Sequence, residues 1–271
     1  IFAWDGTAWS KKGEDLYGED VDDQSGYSVS ISADGNSVAI GAHYNDDNGS
    51  NSGQVRVFAW NGTAWAQKGQ DLGGEALSDR SGFSVSMSVD GSTVAIGAIW
   101  NEGNGFKNSG HVRIFAWDGT AWSQKGEDLD GEAMGDQSGF SVSMSLYGDI
   151  VAIGANANNG NGSNSGHVRI FAWDGTAWSK KGEDLYGEDV DDQSGYSVSI
   201  SADGNSVAIG AHYNDDNGSN SGQVRVFAWN GTAWAQKGQD LGGEALSDRS
   251  GFSVSMSLES KGTRLGWGSR A

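Results

Sequence analysis

The sequence predicts an all-β chain: a five-bladed β-propeller of four-stranded antiparallel blades, its ring closed by pairing of the N- and C-terminal strands. Three observations predict it. A unit of about 56 residues repeats along the 271-residue chain. Each unit holds four short segments of period-two patterning separated by turn residues. The two chain ends are complementary parts of one unit.

The repeat is read from two strings. Val-Ala-Ile-Gly begins at Val38, Val94, Val151 and Val207, and Phe-Ala-Trp begins at Phe2, Phe58, Phe115, Phe171 and Phe227. Residues 1–88 recur unchanged as residues 170–257. Identity between those copies reports duplication, so only the differing copies carry information about what the repeat requires.

In the first full copy, Tyr27-Ser-Val-Ser-Ile-Ser alternates large and small as a strand does, Asp34-Gly35 reads as a two-residue turn, and Ser37-Val-Ala-Ile-Gly-Ala returns. That hairpin pairs Ile31 with Val38 and Val29 with Ile40 on a bulky face, and Ser30 with Ala39 and Ser28 with Gly41 on a small face. After a polar loop from Asn45 to Gly53, Val55-Arg-Val-Phe-Ala-Trp is the third strand, Asn61-Gly62 its turn, and Thr63-Ala-Trp-Ala-Gln the fourth. Phe58, Trp60 and Trp65 then share one face. A sheet with one bulky and one small face packs against copies of itself, and radial repetition leaves few exposed edges. A stacked solenoid is the alternative, but it needs capping repeats.

The ends favour the ring. The chain opens on a third and fourth strand (1–15) and ends with a first strand, Ser250-Gly-Phe-Ser-Val-Ser-Met-Ser. Gly262-Thr-Arg-Leu-Gly-Trp-Gly-Ser lies on Gly35-Asn-Ser-Val-Ala-Ile-Gly-Ala as a degenerate second strand. The blades are thus 25–74, 81–131, 138–187 and 194–243, with a fifth shared between 250–271 and 1–18. A chain that begins in mid-pattern at Ile1 reads as a processed chain or a fragment.

Composition narrows the function. There are 44 Gly and no Pro, so turns rest on Gly, Asn and Asp. The formal net charge of −19 disfavours nucleic acid and anionic membrane and favours cations or basic partners. No apolar run approaches the ~18 residues of a membrane span, so no membrane insertion is expected. Cys is absent, which removes disulfides and thiolate chemistry. Acidic, Asn- and Ser-rich β-repeats of this kind read as extracellular or cell-surface.

Ser81-Gly82-Phe83-Ser84-Val85, Val94-Ala-Ile-Gly-Ala98 and Gly110-His-Val-Arg-Ile-Phe115 resemble the FG-GAP family, the repeats of integrin α-subunit propellers and related bacterial and algal surface proteins. The resemblance implies a propeller. Two departures bear on function. The family's Pro after Gly-Ala is replaced by His43, Ile99, Asn156 and His212. The family's calcium loop between the first two strands is reduced to Ser32-Ala-Asp-Gly-Asn36, too few oxygens for an ion wanting six to eight. No calcium is expected in the hairpins around Asp34, Asp90 and Asp203, and no metal or cofactor is assigned.

Candidate ligand residues follow from the repeat. A Trp pair recurs in each blade (Trp4/Trp9, Trp60/Trp65, Trp117/Trp122, Trp173/Trp178, Trp229/Trp234). Trp9, Trp65, Trp122, Trp178 and Trp234, with the turn residues Asn61, Asn230 and Asp118, could stack and hydrogen-bond a sugar at repeated sites. The same rings could instead pack between blades. The long-loop end of the ring is acidic, and Asp46, Asp47, Asp215 and Asp216 there could hold a cation or a basic partner, or simply be solvated. Asp23, Asp79, Asp136, Asp192 and Asp248 read as caps of nearby backbone amides, and Glu19, Glu75, Glu132, Glu188 and Glu244 are read likewise. His43 and His212, absent from the other blades, read as plain polar residues. Asn48, Asn61, Asn161, Asn217 and Asn230 head Asn-Gly-Ser/Thr sequons that also suit turns.

Anything chemical in the duplicated residues would occur twice, and the unduplicated stretches (99–107, 147–161 and the tail from Leu258) contain no nucleophile–base arrangement and no metal-spaced His or Glu cluster, so the chain is expected to be non-catalytic. It reads as an extracellular binding or adhesion module, lectin-like with repeated sites, whose partner is a glycan or a basic protein surface. The alternative is a structural surface or matrix repeat without a small ligand.

Overall fold

The structure, a computed structural model, describes residues 1–257. It is all-β apart from one turn of 3-10 helix at Gly103–Gly105. An N-terminal hairpin, β1 (Phe2–Trp4) and β2 (Trp9–Lys11), precedes four blades. Blade one is β3 (Ser28–Ile31), β4 (Ser37–Ala42), β5 (Gln54–Trp60), β6 (Trp65–Gln67) and β7 (Leu72–Gly73). Blade two is β8 (Ser81–Met87), β9 (Thr93–Ala98), β10 (His111–Trp117), β11 (Trp122–Gln124) and β12 (Leu129–Asp130). Blade three is β13 (Ser141–Met144), β14 (Ile150–Ala155), β15 (His167–Trp173), β16 (Trp178–Lys180) and β17 (Leu185–Tyr186). Blade four is β18 (Ser197–Ile200), β19 (Ser206–Ala211), β20 (Gln223–Trp229), β21 (Trp234–Gln236) and β22 (Leu241–Gly242).

Within each blade the main path is four antiparallel strands in sequence order. The register of the first hairpin is Ser28↔Gly41, Val29↔Ile40, Ser30↔Ala39 and Ile31↔Val38, the pairing that its alternation requires. Two details differ from the sequence reading. The turns are longer than two residues: Ser32 N–H donates to the Ser37 carbonyl and Ser37 N–H to Ser32 Oγ, enclosing 33–36. Likewise Trp60 pairs with Trp65 across 61–64, so the fourth strand starts at Trp65 and not at Thr63. The fourth strand is also broken, β6 covering the C-terminal half of β5 and β7 its N-terminal half.

Consecutive blades pack bulky face on small face. One core joins Ala39, Val55 and Val57 of blade one to Met87, Val94, Ile96 and Phe115 of blade two. The same contact recurs between blades two and three and between three and four. Serines of the small face complete it by bonding the next blade's inner strand: Ser28 Oγ donates to Gly82 O (2.8 Å), Ser84 to Gly139 (2.7 Å), Ser141 to Gly195 (2.8 Å) and Ser197 to Gly251 (2.8 Å). Equivalent turns are also chained, Ala33 N–H to Val89 O, Val89 N–H to Leu146 O and Leu146 N–H to Ala202 O, each 2.9 Å.

This arrangement is radial. Ile31, Met87, Met144, Ile200 and Met256, one from each repeat, line a single central cavity of about 260 Å³. Tyr27, Phe83, Phe140, Tyr196 and Phe252 stack consecutively, with ring centroids 4.8–5.1 Å apart.

The fifth position is partly built. The β1–β2 hairpin docks on blade one, and Met256 N–H donates to Ser199 Oγ of blade four (2.9 Å). Between them, among the described residues, the interface is not made. Phe2, Trp4 and Trp9 are 64%, 55% and 68% exposed. On the facing side, Leu241 of blade four is 51% exposed, whereas its equivalents Leu72, Leu129 and Leu185 are buried. The second strand expected at 262–269 lies outside the described residues.

Candidate functional site

The Trp pairs are clamps between blades. Trp65 Nε1–H donates to the Lys12 carbonyl (2.7 Å), Trp122 to Lys68 (2.6 Å), Trp178 to Lys125 (2.7 Å) and Trp234 to Lys181 (2.7 Å). Each of those lysines lies in the preceding repeat, and its ammonium sits 5.1–5.4 Å from both ring centroids of the pair, within cation–π range. The following glycine makes room. A Cβ on Gly126 (φ +83°) would lie 2.7 Å from Trp178 Cδ1, whereas a Cβ on Gly238 (φ +85°) meets nothing within 4 Å among the described residues. Trp65, Trp122, Trp178 and Trp234 thus pack between blades, the second of the two readings that their recurrence allowed. Trp9 alone of the five has its ring exposed, because the clamp it would form on Gly238 is unmade.

The turn candidates are also occupied locally. Asn61 Oδ1 accepts from Thr63 N–H, Thr63 Oγ1 and Ala64 N–H, all at 2.9 Å. Asp118 and Asn230 accept the equivalent three bonds at 2.7–3.0 Å. The same local bonds hold the Asp118 carboxyl below its ordinary range. These side chains build turns first.

Of the aspartates ahead of each Ser-Gly, Asp23, Asp79, Asp136 and Asp192 are buried caps, and Asp248 is an exposed one. Asp79 Oδ2 accepts from Glu75 N–H (3.1 Å), Ala76 N–H (2.8 Å) and Asn101 Nδ2 (3.1 Å), and Asp136 repeats the set. His43 and His212, read from sequence as plain polar residues, are both 2% exposed. Each is buried among rings, His43 stacking on Tyr27 (4.0 Å) and Tyr44 (4.2 Å). Burial, assisted by Arg80 and Arg249, pushes both imidazoles down to about 4.

The acidic loop end is where the fold gathers charge. Asp46 and Asp215 fold their own loops, accepting from Asn51 and Asn220 N–H at 2.6 Å. Asp47 and Asp216 instead join carboxylates from distant segments. Blade one assembles Glu19, Asp47 and Asp71, and blade four Glu188, Asp216 and Asp240. Blade two assembles Glu75, His111 and Asp128, and blade three Glu132, His167 and Asp184. In every set the ligand-capable atoms lie within 4.8 Å of one another. Beneath each set a buried arginine is anchored to a backbone carbonyl and reaches the glutamate: Arg56, Arg113, Arg169 and Arg225 stand 3.4–3.6 Å from Glu19, Glu75, Glu132 and Glu188. Burial raises the Glu75 and Asp130 carboxyls and pushes His111 down to about 3, the last with help from Arg113.

Sequence reasoning named Glu19 and its repeats, Asp47 and Asp216 separately. It missed Asp71, Asp128, Asp184 and Asp240, and found no metal-spaced cluster containing His111 or His167. The available signal was the aspartate recurring before Leu72, Leu129, Leu185 and Leu241 in each fourth strand. Among the described residues no helix is long and apolar enough to cross a membrane.

A family model described as FG-GAP repeat matches residues 18–58 and 187–227. Both segments fall in the duplicated stretch, so they are one sequence present twice. No curated protein matches the chain. Among solved structures, the chain is similar to a "putative 6-phosphogluconolactonase" from Bacteroides uniformis ATCC 8492, at 13% identity over 80% of this chain and 55% of that one, with a TM-score of 0.54. It is also similar to Kuenenia stuttgartiensis hydrazine synthase, at 12% identity over 77% and 53%, with a TM-score of 0.48. The chain thus spans about half the length of each. At 13% identity the first likeness shows the fold alone.

Proposed function

The chain carries FG-GAP repeats, and from that premise we propose that it is a non-catalytic, extracellular binding module. Its ligand surface is the acidic loop end, and its partner is a basic protein surface. One observation carries this reading: a cluster of three acid or imidazole groups stands at the same end of all four blades. Repetition on a rigid scaffold makes that end a multivalent anionic face, and the net charge of −19 steers cationic partners toward it. Glycan binding has less support, because four of the five outer Trp rings are committed to interblade packing. A fold of this kind hosts many functions, so the lactonase likeness brings no chemistry with it.

The module works as a closed five-bladed ring in this reading. The supporting observation is complementarity of the two uncovered faces. Val29 and Ile31 of blade one are 64% and 50% exposed beside a cleft of about 440 Å³ that Ile1 and Leu16 also line, while Met87, Met144 and Ile200 at the equivalent of Ile31 are buried. A further inner strand seated in that cleft would complete the fifth blade and bring Trp4 and Trp9 onto Gly238.

Binding separates the readings. The purified chain, probed against arrayed glycans and immobilised lysine-rich peptides, should retain the peptides and release them steeply as salt rises from 50 to about 500 mM. Glycan retention insensitive to salt would overturn the basic-partner reading. Retention of neither would make the chain a structural surface or matrix repeat.

A further inference from the structure

We propose that Glu75, His111 and Asp128 form a divalent-cation site of the zinc and manganese class on blade two, with a weaker counterpart at Glu132, His167 and Asp184 on blade three. It draws on two of the clusters that also carry the proposed function, but its test needs no partner.

The imidazole sets the class. His111 is 1% exposed, and its Nδ1 is buried without a hydrogen-bond partner among the described residues. Nδ1 points among carboxylate oxygens at 3.8 Å (Asp128 Oδ2), 3.9 Å (Glu75 Oε2) and 4.0 Å (Asp130 Oδ1). Those gaps are too long for hydrogen bonds. They are close to the spacing of ligands that share an ion, since groups each about 2.1 Å from a metal stand about 3.4 Å apart at the tetrahedral angle. The buried imidazole is held by β10, while Glu75 and Asp128 are partly exposed and free to draw in.

The carboxylates are already oriented. Arg113 takes Glu75 Oε1 (3.4 Å), leaving Oε2 toward the site. Gln124 Nε2 donates to Asp128 Oδ1 (2.7 Å), leaving Oδ2 toward the site. Outer partners of this kind fix ligand direction in metal centres. Glu75, Asp128 and Asp130 set three negative charges against Arg113, a balance that a dication neutralises. An imidazole with carboxylates suits borderline ions, whereas calcium and magnesium prefer oxygen alone.

Blade three has the same imidazole, His167, with both ring nitrogens buried and unpartnered. There Tyr186 stands in place of Asp130, and Lys180 pairs with Asp184 at 2.7 Å. The extra cation and the lost carboxylate weaken the site. Blades one and four supply a natural control, with Gln54 and Gln223 at the histidine position. Gln223 Nε2 donates to Glu188 Oε2 (2.7 Å), so an amide closes internally what the imidazole leaves open.

The test is calorimetric titration of the chain with Zn²⁺ in excess Ca²⁺ and Mg²⁺, which occupy general acidic surface. One tight and one weaker equivalent are expected. His111→Gln, which reproduces the residue of blades one and four, should abolish the tight event and its rise in melting temperature while leaving the metal-free melt unchanged. Glu75→Gln, at a partly exposed position, should weaken it at least about tenfold and gives the same readout if His111→Gln folds poorly. Zinc uptake unchanged in the His111→Gln/His167→Gln double variant would overturn the proposal. So would the absence of saturable binding below millimolar zinc, or displacement of zinc by calcium.

Discussion

At the residue scale, the histidines show how burial reassigns a side chain. His43 follows Gly41-Ala42, where the repeat's strand ends, and from sequence it is a polar residue entering a loop. In the fold it is 2% exposed and edge-on to Phe83 at 5.7 Å. Of the rings around it only Tyr44 is local; Tyr27 lies across the hairpin and Phe83 in the next blade, so no local pattern could show the burial. All four imidazoles sit well below the ordinary histidine value of about 6.5, chiefly through burial. The unfolded chain's imidazoles therefore take up protons as pH falls below 6.5, while His43 and His212 in the folded chain stay neutral until about 4. Stability should hold above pH 6.5 and decline between 6.5 and 4. His43→Phe keeps the ring stacking and removes one titration, so its melting temperature should fall less steeply across that window. Parallel melting curves for variant and parent would contradict this.

At the scale of elements, the first hairpin was fully readable. Alternation of Ser28-Val-Ser-Ile against Val38-Ala-Ile-Gly allows one register with both faces consistent, and that register is found. The turns were less readable, since Asp34-Gly35 and Asn61-Gly62 also suit a four-residue turn begun by an Asx side chain, and the side-chain bonds decide it. The break of strand four between β6 and β7 had no hydrophobic signature. The Trp pairs were visible as a repeated feature with two readings, and the deciding partners, Lys12 and its equivalents, lie more than fifty residues earlier. Trp122 is 4% exposed in a made clamp and Trp9 is 68% exposed in an unmade one. Trp122→Ala should cost about 3–5 kcal/mol of unfolding free energy, and Trp9→Ala within about 0.5. Chemical denaturation of the two variants checks this, and equal losses would mean that Trp9 is also clamped in solution.

At the scale of the whole molecule, repetition dictates a radial stack, because each blade's bulky face fits the small face of the one before. The acidic clusters follow from that stack. Glu75 lies in the loop entering blade two, His111 heads its third strand, and Asp128 precedes its fifth. Such separations conceal a constellation until the blade closes. Whether the fifth interface forms governs both the stability and the valency of the ligand face. The chain contains no cysteine, so spin labels can be placed uniquely at Ala8, Ala177 and Ala233, equivalent exposed positions of the N-terminal hairpin, blade three and blade four. The direct measurement is the pulsed electron–electron distance in Ala8→Cys/Ala233→Cys, compared with Ala177→Cys/Ala233→Cys, which spans one made interface. A closed five-bladed ring predicts the same distance in both pairs, and a longer or broadly distributed Ala8–Ala233 distance would contradict it.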